Sequence, residues 1–72
     1  MTTLTQAQAE VEVRSVVIDR TDAVIDREQI SDCVDVYLAS IERDLGRPID
    51  RDHIDRDTVA RLIETVVSHV EG

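Results

Sequence analysis

The side chains able to do chemistry in this chain are few in kind: one cysteine, two histidines and sixteen carboxylates, with all eight basic residues arginine. Cys33 lies within a run of apolar residues spaced three and four apart, where a thiol is ordinarily a small, inert core residue. No histidine or second cysteine stands at helical spacing from it, so neither an activated nucleophile nor a metal ligand is read there. His53 sits in the acidic segment Asp50-Arg51-Asp52-His53-Ile54-Asp55, and His69 falls near the end of a helical pattern, where an imidazole suits the negative end of the helix dipole. The two are far apart and lack ligand spacing, so no metal site is assigned. The carboxylate clusters Asp19 to Asp26 and Asp50 to Asp57 lack the alternating oxygen ligands and the turn glycine of a calcium loop. Helix capping accounts for them more simply. No catalytic constellation and no cofactor is expected.

The elements that would carry these residues are written more clearly. From Ile25 to Gly46, Ile30, Cys33, Val34, Tyr37, Leu38, Ile41 and Leu45 form one apolar stripe of a helix. Asp26 and Gln29 can make a capping box, Ile25 can staple onto Ile30, and Gly46 followed by Pro48 closes the far end. The last helix, from Arg56, repeats the pattern: Val59, Leu62, Ile63, Val66, Val67 and Val70 each lie 29 residues beyond Ile30, Cys33, Val34, Tyr37, Leu38 and Ile41. Two helices with matching stripes can bury them against each other, so an antiparallel hairpin over 26–70 is the expected core.

Ahead of the hairpin, Thr5 and Gln8 offer another capping box, and Ala9, Val13, Val16 and Val17 fit one helical face. The strict alternation from Ala9 to Arg14 fits a strand as well. The helical reading is carried forward, with residues 1 to 4 frayed. The phrase Ile-Asp-Arg occurs at 18 to 20, 25 to 27, 49 to 51 and 54 to 56, each aspartate placed to cap a helical turn. The fold predicted is therefore all-α: a single three-helix domain over 1–72, with helices near 6–18, 27–45 and 56–70 and short helical turns beginning at Asp19 and Asp50.

Seventy-two residues with Tyr37 as the only aromatic bury little area, which favours a homodimer. A lone cysteine excludes an internal disulfide. The net charge of -8 repels phosphate backbones and disfavours nucleic acid as a partner. No apolar run approaches a membrane span and the first residues lack a signal-peptide layout, so a cytosolic protein is expected. Arginine used without lysine points to a GC-rich genome of the actinobacterial or phage kind.

Three resemblances bear on function. The stretch Ser31 to Val67 resembles the later part of an acyl carrier protein, through Ser31, Leu45-Gly46, Ile49 to Ile54 and Thr58-Val59. This would imply a prosthetic arm on Ser31, although Ile30-Ser31-Asp32 stands where carriers have Asp-Ser-Leu. Val11 to Val17 read as a strand before two helices is similar to ribbon-helix-helix repressors, and Arg56 to Leu62 reads like the second helix of a helix-turn-helix. In the first the groove-facing row would be apolar or acidic, and around the second five arginines are offset by five aspartates.

The reading these observations favour is a small acidic, non-catalytic interaction module, a regulator or adaptor acting as a homodimer and on an unidentified protein. Val11, Ile18 and Val36 fall outside the main stripes and would be left for partners. The expected contact residues are Asp32, Val36, Ala39, Ser40 and Arg43, with the second face of the first helix. Glu28, Asp32, Asp35, Glu42 and Asp44 line the outer side of the central helix, an acidic row that would also serve an imitation of DNA.

Overall fold

The computed structural model describes residues 3–72: a two-residue strand β1 (Thr3–Leu4), helix α1 (Gln6–Thr21), helix α2 (Arg27–Leu45), a two-residue strand β2 (Ile54–Asp55) and helix α3 (Arg56–Glu71). Met1 and Thr2, half of the segment expected to fray, lie outside the described residues.

Each helix starts where a side chain can satisfy its free amides. At α1 the Thr5 hydroxyl accepts from the Gln8 amide at 3.2 Å while the Gln8 side chain accepts from the Thr5 amide at 3.0 Å. At α2 Gln29 reaches back to the Asp26 amide at 3.1 Å, and at α3 the Asp55 carboxylate accepts from the Thr58 amide at 2.8 Å. The capping box, together with the buried row Ala9, Val13 and Val17, decides residues 9–14 for helix over strand. The far ends close through left-handed residues. Asp22, at φ 57°, donates its amide to the Ile18 carbonyl, and Gly46, at φ 70°, donates to Glu42.

The two short helical turns are not formed. Asp19 is inside α1, which runs on to Thr21 because the chain turns only at Asp22. Asp50 instead closes a tight turn, its carboxylate accepting from the Asp52 amide at 2.9 Å. The chain cannot coil there because it must enter β2 extended. Thr3 pairs with Asp55 and Leu4 with Ile54 in an antiparallel ladder, extended by the Gln6 amide on the Arg51 carbonyl at 2.8 Å. Thr3 and Leu4 are thus tied down rather than frayed, and the domain carries a small sheet that an all-α reading did not anticipate.

Cross-helix contacts set the directions. Glu10 meets Ser31 and Gln6 meets Asp35, so α1 runs antiparallel to α2. Glu12 meets Arg56 at 3.3 Å and Arg20 meets Glu64 at 2.7 Å, so α1 runs parallel to α3, and α2 antiparallel to α3.

The core is apolar throughout: Ala9, Val13, Val17, Ile25, Ile30, Val34, Leu38, Ile54, Val59, Leu62, Val66 and Val67 are buried, with no polar side chain among them. Four of the six residues of the predicted α3 stripe are included, but only Ile30, Val34 and Leu38 of the seven predicted for α2. The pairing differs from the expected one, however: α1 packs most on α3, and α2 touches α3 far less than the hairpin over 26–70 required. The reason is partly steric and partly topological. Ala9, Val13 and Val17, all fully buried, are short enough to let α1 approach closely, and the β1–β2 ladder starts α1 and α3 side by side.

Three of the four arginines of the Ile-Asp-Arg phrases then brace this arrangement. Arg20 and Arg56 bridge α1 to α3, and Arg51 reaches Glu42 and Asp35 on α2 and the Gln6 side chain at 3.3 Å on α1. These pairs are exposed or half-exposed, so solvent screens them and their contribution to stability is small.

Candidate interaction groove

Because α1 takes up most of the inner face of α3, the stripe on α2 is wider than its neighbours cover. Ile30, Val34 and Leu38 are buried, whereas Cys33, Tyr37 and Ile41 are half-buried and Leu45 is exposed. Between α2 and α3 this leaves a cavity of about 420 Å³ lined by Cys33, Val36, Tyr37 and Val66, with Asp32, Ser40, Thr65 and His69 at its edge. A second cavity of about 420 Å³ continues toward the α1–α2 connection, past Gln29 and Ile30 to Val24 and Val70. The two share Asp32, Cys33, Val66 and His69, so together they form one continuous groove.

Among the described residues, three of the five large apolar side chains left exposed border it: Val24 at 96%, Val36 at 71% and Val70 at 36%. Val24 extends from a loop with almost none of its surface covered, the least favourable position for a valine in this chain.

Of the five residues expected to contact a partner, Asp32, Val36 and Ser40 line the groove. They recur every four positions and stay on one column of α2. Ala39 and Arg43 are exposed but outside the lining. Each stands three positions after a lining residue, which turns it about 60° around the helix. The tertiary arrangement adds Val24, Cys33, Tyr37, Thr65 and His69. Cys33 and Tyr37 belong to the apolar stripe expected inside the core, and the sequence marks them as groove residues only through a stripe too wide for one neighbour. Cys33 and His69 border the same groove, but no hydrogen bond joins them, and among the described residues no three of His, Cys, Asp and Glu lie close enough to hold a metal.

Ser31 faces the other side of α2. It is half-buried, and its hydroxyl donates to the Glu10 carboxylate at 3.2 Å. Residues 11–17, the strand required by the ribbon-helix-helix resemblance, are helical, and Arg56 to Leu62 form the first turns of α3 with Val59 and Leu62 buried. In the acidic row of α2, Glu28, Asp32, Asp35 and Asp44 are exposed, while Glu42 is half-buried against Arg51.

The outer face of α1 offers a separate, more open cavity of about 720 Å³, where Leu4, Ala7, Val11 and Val16 meet Arg27 and Arg56. Val11 is 55% exposed there, and Ile18 is half-buried. The perturbed carboxyls lie elsewhere: hydrogen bonds from the Thr58 hydroxyl and amide hold Asp55 below the usual carboxylate range, and the Asp52 amide and the His53 ring do the same for Asp50. Both serve turns and caps. No helix among the described residues is long and apolar enough to cross a membrane. No protein-family model, curated protein or solved structure matches the chain, and no family is assigned to it.

Proposed function

We propose that this chain is a non-catalytic protein-interaction module whose working surface is the groove between α2 and α3. One observation supports this above the others: three of the five large exposed apolar side chains among the described residues border one continuous depression, while Val11 and Leu45 stand apart from it and from each other. Covering Val24, Val36 and Val70 removes apolar surface that folding alone leaves in water, at roughly 25 cal/mol per Å². A helix from a second polypeptide is the element best shaped to do so, since the groove is itself bounded by two helices.

The test is site-specific photo-crosslinking in the cells that encode the protein. A photoreactive side chain at Val36 is expected to give a discrete adduct, with another protein or with a second copy, and the same side chain at the exposed Asp57 is expected to give none. Equal labelling at the two positions would remove the groove as the working surface.

A further inference from the structure

We infer that the groove receives a basic amphipathic helix from a different protein. This rests on the reading of the groove as the working surface and adds the chemistry of its occupant. Shape comes first. From Gln29 to Ser40 the α2 wall spans eleven residue steps, about 17 Å, or three turns of an apposed helix. Apolar anchors at i, i+3 or i+4 and i+7 would meet Val24 and Val70 at one end, Cys33 and Val66 in the middle, and Val36 and Tyr37 at the other.

Charge then selects among helices. Asp32 and His69 border both halves of the groove, and no arginine lines either. Each of the other three described cavities has at least one arginine in its wall. Around the Val24 end the chain carries Asp22, Asp26, Glu28 and Glu71, all exposed and none in an ion pair among the described residues. Three arginines come near this end: Arg20 pairs with Glu64 and lies within electrostatic reach of Glu71, Arg14 donates to the Ile25 carbonyl at 3.0 Å, and Arg27 stands beside Val11 and Ser15 on the outer face of α1. An apolar floor with a rim richer in acidic than in basic side chains is complementary to a helix whose polar face carries lysine or arginine. A second copy brings another net charge of -8 and sets its own acidic rim against this one.

The experiment uses the full chain and two synthetic helical peptides of about 18 residues with the same leucine stripe, one with lysine at every other position and one with glutamate. Binding is read by fluorescence anisotropy. Its location is read by the rate at which iodoacetamide alkylates Cys33, the only cysteine, which lines both halves of the groove.

The lysine peptide is expected to bind at least about tenfold more tightly than the glutamate peptide and to weaken several-fold as salt is raised. It should slow Cys33 alkylation about fivefold or more at saturation. Val36→Arg should lose at least about tenfold in affinity while keeping the wild-type circular dichroism spectrum. Equal binding of both peptides with Cys33 protected would overturn the basic partner and leave the groove reading intact. A dimer that shields Cys33 and is not displaced by the lysine peptide would overturn it in favour of a second copy. Lysine-peptide binding that neither protects Cys33 nor responds to Val36→Arg would place the association elsewhere on the acidic surface and overturn the inference. Failure of either peptide or a second copy to shield Cys33 would overturn the inference and the groove reading together.

Discussion

Truncating valine to alanine at positions 13 and 36 tests whether α1 is the keystone of the fold. The two substitutions remove the same two methyl groups from helix interiors and gain the same helix propensity, so the difference between them isolates tertiary packing. Val13 is fully buried, and Val36 retains 71% of its surface in water. At about 0.8 kcal/mol per buried methyl-sized group, Val13→Ala loses about 1.6 kcal/mol of transfer free energy and Val36→Ala about 0.5. An unrelaxed cavity of about 50 Å³ at position 13 adds up to roughly 1.2 kcal/mol. Val13→Ala should therefore be less stable than Val36→Ala by about 1–2.5 kcal/mol. For a chain of this length the whole unfolding free energy is about 4–11 kcal/mol, so that difference is readily measured. Urea titration followed by far-ultraviolet circular dichroism would show it as a lower midpoint at unchanged slope. If Val13→Ala proved no less stable than Val36→Ala, α1 would not sit at the centre, and the α2–α3 hairpin alone would have to hold the fold.

Other consequences follow from single residues. Gly46→Ala introduces a side chain that meets nothing within 4 Å, so its cost is that of the left-handed backbone alone, about 1–2 kcal/mol in the same urea titration; no loss would contradict the αL cap. The Asp55 carboxyl is depressed in the folded state, so its contribution is complete above the unfolded value near pH 3.9 and disappears as pH falls through the lower folded value. Asp55→Asn, which can still cap, should leave stability at neutral pH little changed and flatten the acid limb of urea midpoints measured down to about pH 2. Thr3 and Leu4 should show slowed amide exchange wherever their N–H groups enter the ladder with Ile54–Asp55; exchange at the rate of an unstructured peptide at every ladder amide would show the strands to be unpaired.

The starts of the helices, the end of α2 and the centres of the apolar stripes were legible in the residues themselves, whereas the end of α1 and the margins of the α2 stripe were not. Thr5 with Gln8, Asp26 with Gln29, Asp55 with Thr58, and Gly46 all act across three or four positions, a distance at which the order of residues dictates geometry. The stripes around Ile30, Leu38, Leu62 and Val66 went inside for the same reason, because period and hydrophobicity are local properties. Which stripe meets which is not local. Matching patterns on α2 and α3 pointed to a hairpin, yet the short side chains of α1 and a two-residue ladder joining positions some fifty apart brought α1 onto α3 instead. The groove is a consequence of that choice. Cys33 and Tyr37 read as core in any one-dimensional account, and become the walls of an opening only because α1 already occupies the surface of α3 that would have covered them. Burial of an apolar face is required by its composition, but the neighbour that completes it is selected by shape and volume, which exist only once the helices have assembled.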